Sequence, residues 1–327
     1  MEAGELLSFK KGIIDAHCDT VHFFTQEKAP YEFSTINLPA QVDLPSMETG
    51  NIKVQFFAMY IEPEYKPCHA LKRCLHLLDH FYRTMEKCSE RIEIVFSYKD
   101  LMRVNTAGKI AAVATVEGGE VLEDDISVLR ILYRLGIRGL GLTWNQRNQL
   151  ADGVWERDAA GGLTHLGREV IMEMNSLGMI IDLAHIAERG FDDVLALTTK
   201  PVIVSHANTR KICDHPRNLT DRQLKLLQEN GGVVGLTFYP AFVSPEKPDL
   251  EKLLDHFEHA AEVSGIDHLG IGSDFDGMGG NFLSDLPDVS SLPFLVEGLL
   301  SRGFTEEEVN KIMWGNFLRV IKINWKS

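Results

Sequence analysis

Short apolar runs rich in Val, Ile and Ala recur along the chain, and longer amphipathic segments separate them. A run of about four to eight mainly apolar residues predicts a buried strand, whereas apolar residues about three or four positions apart predict one face of a helix. Two helical stripes of this kind lie within residues 163–177 and 250–261. The eight predicted strands cover residues 12–19, 54–61, 110–117, 136–143, 179–185, 201–206, 232–239 and 268–274.

Capping and termination signals support this alternation of strands and helices. They are the capping boxes of Thr220 with Gln223 and of Thr305 with Glu308, and the helix-ending glycines Gly178 and Gly231. Eight strands that alternate with helices and are apolar on both faces predict an α/β fold, a (β/α)8 TIM barrel rather than an open doubly wound sheet. A long first connection over residues 20–53 and at least two extra helices after residue 275 account for the length of 327 residues. We therefore expect a single barrel domain over residues 1–327.

Composition and charge exclude several classes of protein. With 44% hydrophobic and 24% charged residues, the chain is neither disordered nor collagenous. Its formal net charge of −14 would repel a phosphate backbone, so nucleic acid is not an expected partner. The five cysteines form no CxxC pair, which argues against a disulfide framework and a thiolate zinc site. No apolar stretch approaches the roughly 18 residues of a membrane span, so we expect a cytoplasmic protein with no membrane partner.

Polar residues occupy the carboxyl ends of five of the eight predicted strands. Ionisable side chains are costly in a buried strand, and the carboxyl ends of barrel strands are where active sites lie. The first strand ends with Asp15, His17 and Asp19, which strand alternation places on one face. The third, fifth, sixth and eighth strands end with Glu117, His185, His206 and Asp274. Three imidazoles and several carboxylates are therefore expected to meet at one barrel mouth.

Imidazole nitrogens and carboxylate oxygens without thiolates are typical ligands of a hydrolytic zinc site, although manganese or another divalent ion accepts a similar set. The set of His17, Asp19, Glu117, His185 and His206 is too large for one open catalytic metal ion. It matches two metal ions that share a bridging carboxylate. We interpret the remaining histidines as hydrogen-bonded core or surface residues. The joint placement of the three strand-end histidines beside carboxylates favours two metal ions per chain.

These residues and their surrounding segments resemble the membrane dipeptidase (renal dipeptidase) family of zinc metallopeptidases, in particular its soluble bacterial members. The similarity runs from IDAHCD at residues 14–19, through VEGG at 116–119, DLAH at 182–185 and GSDFDG at 272–277, to GNFLRV at 315–320. The resemblance implies a metal-dependent hydrolase barrel with two Zn²⁺ per chain. It implies that His17 and Asp19 bind one ion, that His185 and His206 bind the other, and that Glu117 bridges both. It also implies that Arg217 binds the substrate carboxylate and that Asp274 is the acid/base residue.

One position departs from the family pattern. In the eukaryotic members a histidine after the fourth strand contacts the substrate, and Trp144 stands at the matching place here. Zinc binding should survive this change, whereas the substrate range of those members does not transfer to this chain. Tyr239 falls where the family has a substrate-side tyrosine, although a strand-end aromatic is about as often a packing residue. Trp144 and Tyr239 are both candidate substrate contacts.

The resemblance implies a zinc-dependent dipeptidase whose range extends to dipeptides with a D-residue at the C-terminal position. A hydroxide that bridges the metal ions would attack the peptide carbon, and Asp274 would accept the proton and pass it to the leaving amine. Asp276 lies two residues further on, and one of these two aspartates is expected to cap a loop. Arg217 is suited to a free C-terminal carboxylate, and the alternative is a surface ion pair with Asp214 or Asp221.

Two other functions remain open at this point. One is a binuclear amidohydrolase-type barrel that acts on a cyclic amide, an ester or a phosphotriester. Many such enzymes bridge their metal ions with a carbamylated lysine, but no lysine ends a strand here, whereas Glu117 does. The other is a non-catalytic relative that binds a small ligand or a partner, which should have lost a metal ligand or Asp274. An exposed helix face is compatible with a homodimer.

Overall fold

The computed structural model describes residues 12–26, 31–37 and 40–326, and within these ranges strands and helices alternate. The strands are β1 (Ile13–Cys18), β2 (Ile52–Tyr60), β3 (Ile92–Ile94), β4 (Ile110–Glu117), β5 (Ile137–Gly141), β6 (Ile180–Asp182), β7 (Ile203–Val204), β8 (Val233–Leu236) and β9 (Leu269–Ile271). The α-helices are α1 (Val21–Phe24), α2 (Leu44–Thr49), α3 (Ala70–Lys87), α4 (Tyr98–Thr106), α5 (Ile126–Arg134), α6 (His165–Leu177), α7 (Glu188–Leu197), α8 (Asp221–Asn230), α9 (Pro240–Val243), α10 (Leu250–Ser264), α11 (Leu292–Ser301), α12 (Glu306–Asn310) and α13 (Asn316–Asn324).

Eight of these strands close into a parallel barrel. Hydrogen-bonded neighbours follow the order β1, β2, β4, β5, β6, β7, β8 and β9, and β9 returns to β1, where Ile271 pairs with Asp15. Strand β3 lies outside this circuit and pairs with the start of β4, Ile92 opposite Ile110. The predicted (β/α)8 TIM barrel is therefore confirmed.

Each of the eight predicted strands has a counterpart in the barrel, and the predicted C-terminal helices are present as α11, α12 and α13. The connection over residues 20–53 contains only the short α1 and α2, with residues 27–30 and 38–39 outside the described ranges. Several observed strands end earlier than predicted, as β6 does at Asp182. The polar residues beyond these ends leave the backbone ladder and reach the barrel mouth.

Apolar side chains form two buried clusters. The larger one packs helices such as α3, α6 and α10 against the strands. The smaller one joins strand residues such as Ile14, Phe56 and Val113 to Phe317 of α13. All five cysteines are free thiols, and four of them are buried. The absence of disulfides among them agrees with the expectation from their spacing.

Glycines allow the ends of β7, β8 and β9 to approach one another closely. A Cβ atom at Gly272 or at Gly235 would overlap the backbone carbonyl oxygen of Ser205. Any other residue at either position would push the strand ends apart. These glycines therefore help to place His206, which follows β7, beside Asp274, which follows β9.

Replacing Thr305 with Ala should lower the free energy of unfolding by about 1 kcal/mol, because it removes one half of a capping box. The Thr305 side chain accepts a hydrogen bond from the backbone N–H of Glu308, and the Glu308 carboxylate accepts one from the N–H of Thr305. Urea unfolding measures the change. Thr305→Ser keeps the hydroxyl and should retain most of the wild-type stability, so an equal loss in both variants would contradict this account.

Candidate metal centre and active site

The five side chains proposed as metal ligands converge at the C-terminal mouth of the barrel. All five are buried, with exposed fractions between 2% and 7%. Nε2 of His17 lies 3.3 Å from Oδ2 of Asp19. The Nε2 atoms of His185 and His206 lie 2.8 Å apart, although their parent strands β6 and β7 are separate elements. Barrel closure therefore assembles two pairs of potential ligands.

Glu117 stands between these two pairs. Its Oε1 lies 2.7 Å from Nε2 of His185 and 3.7 Å from Nε2 of His206. Its Oε2 lies 3.7 Å from Nε2 of His17. The two carboxylate oxygens thus face different groups, because Glu117 is the last residue of β4 and points into the mouth.

Two neighbouring polar side chains orient the histidines of one pair. Oδ1 of Asn145 lies 2.8 Å from Nδ1 of His185, and it accepts a hydrogen bond from Nδ1 in the tautomer whose Nε2 lone pair can bind a metal ion. Oγ of Ser205 lies 2.9 Å from Nδ1 of His206 and holds that ring in the corresponding orientation. Partners of this kind hold metal-ligating imidazoles in place. The sequence offered no signal for Asn145 beyond its position next to Trp144.

The backbone is strained at three positions around the mouth. His185, Asp274 and Asp276 have φ angles of 67°, 66° and 67°, in the left-handed region that residues other than glycine rarely adopt. Such strain persists only where the surrounding structure enforces it, and it concentrates at functional sites. At His185 and Asp274 the strained backbone accompanies the turn of the side chain toward the mouth, after β6 and β9.

Burial and mutual repulsion perturb the carboxylates of the site. Burial raises the pKa of Glu117 to about 8 and that of Asp274 to about 7. Burial lowers the pKa of His17, but the carboxylates of Asp19 and Glu117 outweigh it and raise the pKa to about 10. Burial also holds the pKa values of His185 and His206 well below the ordinary value. The site therefore favours positive charge at its centre and keeps two imidazoles neutral.

The residues present fit a divalent metal centre. Oδ1 of Asp19 is buried and has no hydrogen-bond partner within the described structure. Neutral imidazoles and carboxylates without thiolates match the ligand preferences of zinc. The potential ligand atoms form three overlapping groups, which are His17 with Asp19 and Glu117, Glu117 with His185 and His206, and His17 with His206 and Asp274. Metal cations at the mouth would balance the buried carboxylates.

The three aspartates near β1 and β9 have different surroundings. Asp274 lines the cavity at the mouth, and its Oδ1 lies 3.8 Å from Nε2 of His17. Asp276 accepts hydrogen bonds of 2.7 Å from the hydroxyl of Thr20 and of 2.7 Å from the backbone N–H of Gln41, so it holds a loop together. Asp15 accepts bonds from Ser273 and Gln55 and belongs to none of the potential ligand groups.

Arg217 is buried beneath the mouth, with 5% of its surface exposed. Its Nη2 donates to the backbone oxygen of His206 at 3.2 Å, and its Nε has no hydrogen-bond partner within the described structure. Burial lowers its pKa to about 10, which leaves it cationic near neutral pH. Asp221 pairs with His259 instead. The alternative of a surface ion pair for Arg217 is therefore wrong.

A cavity of about 440 Å³ opens above these residues. Trp144 and Tyr239, the two candidate substrate contacts, both line it. Sequence analysis missed several other lining residues, which are His22, Tyr60, Glu62, Asn145 and Phe242. His22 is a hydrogen-bonded residue as expected, with its Nδ1 3.2 Å from Oε1 of Glu62, and both side chains lie in the cavity wall. This volume lies within the range of small-molecule sites, roughly 300–1,000 Å³.

A model of the family described as membrane dipeptidase (peptidase family M19) matches residues 2–326. The chain belongs to the membrane dipeptidase family. It is therefore a peptide-hydrolysing enzyme of a metallopeptidase family, and membership implies dependence on a metal. Within the described residues, no helix is long and apolar enough to cross a membrane.

Similar proteins and a similar crystal structure support this membership. The chain is 35% identical over 326 residues to dipeptidase tcpJ of Claviceps purpurea (strain 20.1), covering 94% of this chain and 76% of the relative. It is 32% identical over 329 residues to dipeptidase verJ of Clonostachys rogersoniana, covering 94% and 83%. The crystal structure of a metallopeptidase from Rhodobacter sphaeroides, liganded with a phosphinate mimic of the dipeptide L-Ala-D-Ala, is similar with a TM-score of 0.89 and 27% identity, covering 96% of this chain and 99% of that chain.

Proposed function

We propose that this member of the family is a dipeptidase with two zinc ions per chain. His17 and Asp19 hold one ion, His185 and His206 hold the other, and Glu117 contacts both. The observation that carries the proposal is the division of the Glu117 carboxylate, with Oε1 toward His185 and Oε2 toward His17. A bridging carboxylate between two ligand pairs is typical of binuclear hydrolytic sites. Another divalent ion with similar ligand preferences would occupy the same residues.

Two such ions, when bound, would supply hydroxide near neutral pH and an electrophilic partner for the scissile carbonyl. Asp274 accepts the proton of the attacking water and delivers it to the leaving amine. Its place in the cavity wall, 3.8 Å from His17, supports this role. Asn145 and Ser205 keep the rings of His185 and His206 in orientation throughout.

Arg217 binds the free C-terminal carboxylate of the substrate. Its guanidinium carries a buried N–H without a hydrogen-bond partner and forms no ion pair with Asp214 or Asp221 in the described structure. A guanidinium binds a carboxylate through two parallel hydrogen bonds. The ring of Phe242 lies 5.5 Å from the guanidinium carbon, and Tyr239 packs against Phe242 at 4.6 Å. Tyr239 thus lies where the C-terminal residue of a dipeptide would bind.

The substrate range of the proposal includes dipeptides with a D-residue at the C-terminal position. The Rhodobacter sphaeroides metallopeptidase binds a mimic of L-Ala-D-Ala, and its fold matches this chain nearly throughout. The experiment is a hydrolysis screen of L,L- and L,D-dipeptides, with zinc and other metals quantified on the same protein sample. Metal-loaded protein that cleaves no dipeptide would refute the proposal.

Arg217→Met should erase most of the difference in kcat/KM between a dipeptide and its C-terminal amide. In the wild-type enzyme, amidation removes a charge-assisted contact worth roughly 1.5–3 kcal/mol and should cost at least about tenfold in kcat/KM. Steady-state kinetics with both substrates measure the ratio. Arg222→Met, which removes a surface arginine paired with Asp192, is the matched control and should keep the wild-type ratio of kcat/KM between the two substrates.

A variant that merely damaged the fold would slow both substrates and leave their ratio unchanged. Equal cleavage of acid and amide by the wild-type enzyme would therefore show that Arg217 does not select a free C-terminus. The same conclusion would follow if Arg217→Met kept the full preference.

A further inference from the structure

Two aromatic side chains form a wall on one side of the cavity. The rings of Tyr60 and Trp144 lie 5.3 Å apart, and both residues line the cavity. Trp155 extends this surface outward, since its ring packs edge-on against Trp144 at 5.3 Å and is 60% exposed. We call Tyr60 and Trp144 the aromatic wall.

A buried ion pair lies against the aromatic wall. Nζ of Lys66 lies 5.2 Å from the ring centre of Trp144 and 5.7 Å from that of Tyr60. Lys66 pairs at 3.1 Å with Glu120, and these two side chains are only 9% and 4% exposed. A buried cation on the rings and its buried counterion hold the wall in one arrangement.

The loop that carries Trp144 is also tied to the candidate metal centre. The backbone N–H of Trp155 donates to the carbonyl of Asn145, and that of Val154 donates to the carbonyl of His185, both at 2.9 Å. The ring of Trp144 lies 5.9 Å from the ring of His185. A substrate held at the centre therefore lies within reach of the wall.

The barrel order places the aromatic wall across the mouth from the residues proposed to hold the C-terminal half of the substrate. Tyr60 ends β2 and Trp144 follows β5, and these strands flank β4 with Glu117. Arg217, Tyr239 and Asp274 follow β7, β8 and β9, on the other side of the circuit. The leaving amine belongs to the C-terminal residue, so a group that protonates it must lie on that residue's side. The N-terminal residue then faces the aromatic wall.

The charged groups beside the wall already have partners, so a cationic side chain gains no ion pair there. Lys66, which contacts both rings, is paired with Glu120. Glu62, at the rim nearby, accepts a hydrogen bond of 2.9 Å from Nε of Arg73 and has a second contact with His22, so its charge is already balanced. An apolar side chain gains binding free energy from contact with the ring faces and needs no charged partner.

We propose that the aromatic wall is the subsite for the side chain of the N-terminal residue and selects dipeptides in which that side chain is large and apolar or aromatic. This inference rests on the proposed function, because it takes the direction of the substrate from Arg217 and Asp274.

The test compares kcat/KM for Ala-Ala, Phe-Ala, Ala-Phe and Lys-Ala. The wild-type enzyme should prefer Phe-Ala over Ala-Ala by at least about tenfold, because a phenyl ring buries much apolar area against the wall, and Lys-Ala should show no such gain. Trp144→Ala should reduce the Phe-Ala preference below about threefold and leave the ratio of Ala-Phe to Ala-Ala unchanged. Trp144→Phe should keep most of the preference. Phe294→Ala, which removes an aromatic ring 55% exposed on α11, should match the wild type.

The outcomes separate this inference from the function on which it rests. Metal-loaded enzyme that hydrolyses none of these dipeptides would overturn both. Cleavage of Ala-Ala without a gain for Phe-Ala, or a Trp144→Ala variant that keeps the gain, would overturn the inference alone. A loss confined to Ala-Phe would show that the wall contacts the C-terminal residue and would also overturn it. Trp144→Leu provides the same comparison if Trp144→Ala does not fold, and metal content confirms that the centre is intact.

Discussion

Asp274→Asn should lower kcat by a factor of about 10² or more while the bound metal stays near the wild-type amount. Asparagine has the shape of aspartate but cannot accept the proton of the attacking water. Asparagine also tolerates a positive φ better than most residues, so the backbone at φ 66° should keep its conformation. Steady-state kinetics and metal analysis of the same sample provide the two measurements.

Asp276→Asn is the matched control for this prediction. Asp276 lies two residues away with a φ of 67°, and its carboxylate holds Thr20 and the backbone of Gln41. Its replacement should affect stability more than kcat. Loss of metal from Asp274→Asn would make Asp274 a ligand rather than the proton carrier, since it lies within one potential ligand group with His17 and His206. Turnover close to that of the wild type would exclude the acid/base role.

The double variant His185→Ala/His206→Ala should lose one of the two proposed metal ions and with it the hydrolysis of dipeptides. Removing two imidazoles leaves that ion with only the Glu117 carboxylate among its proposed ligands. Metal analysis after dialysis against metal-free buffer measures the stoichiometry. His259→Ala, which removes a histidine paired with Asp221 away from the mouth, is the control and should keep both ions.

The same measurement distinguishes the bridge from a terminal ligand. Glu117→Gln should weaken the binding of both ions, because each carboxylate oxygen faces a different ligand pair. Asp19→Asn should chiefly weaken the binding of one ion. A double histidine variant with a full metal complement would rule out the ligand assignment, and equal, negligible effects of Glu117→Gln and Asp19→Asn would make Glu117 a structural residue.

The strand and helix pattern was predictable because it depends on local periodicity. All eight barrel strands and the capping boxes at Thr220 and Thr305 occur where the sequence predicts them. Strand β3 was missed because Glu93 interrupts its short apolar run. The strand-end residues His17, Glu117 and His206 were recognisable because ionisable groups are costly in buried strands unless they serve a purpose.

Side-chain surroundings were not predictable, because residues far apart in the chain create them. The sequence was compatible with two roles for Arg217, a surface ion pair and a contact with the substrate. Only the burial of Arg217 beneath the mouth excluded the ion pair. Asp274 and Asp276 both border the cavity, yet Asp274 faces His17 whereas Asp276 is hydrogen-bonded to Thr20 and Gln41 and holds a loop.

The sequence by itself therefore determined the barrel and the strand-end ionisable residues that meet at its mouth, through local patterns of apolar and polar positions. Tertiary structure alone decided how these residues face one another. Asn145 orients His185 only because the loop after β5 packs against the segment after β6. Tyr60 meets Trp144 because barrel closure brings the ends of β2 and β5 to the same rim. Distances across a closed sheet depend on all its strands at once, and no local pattern specifies them.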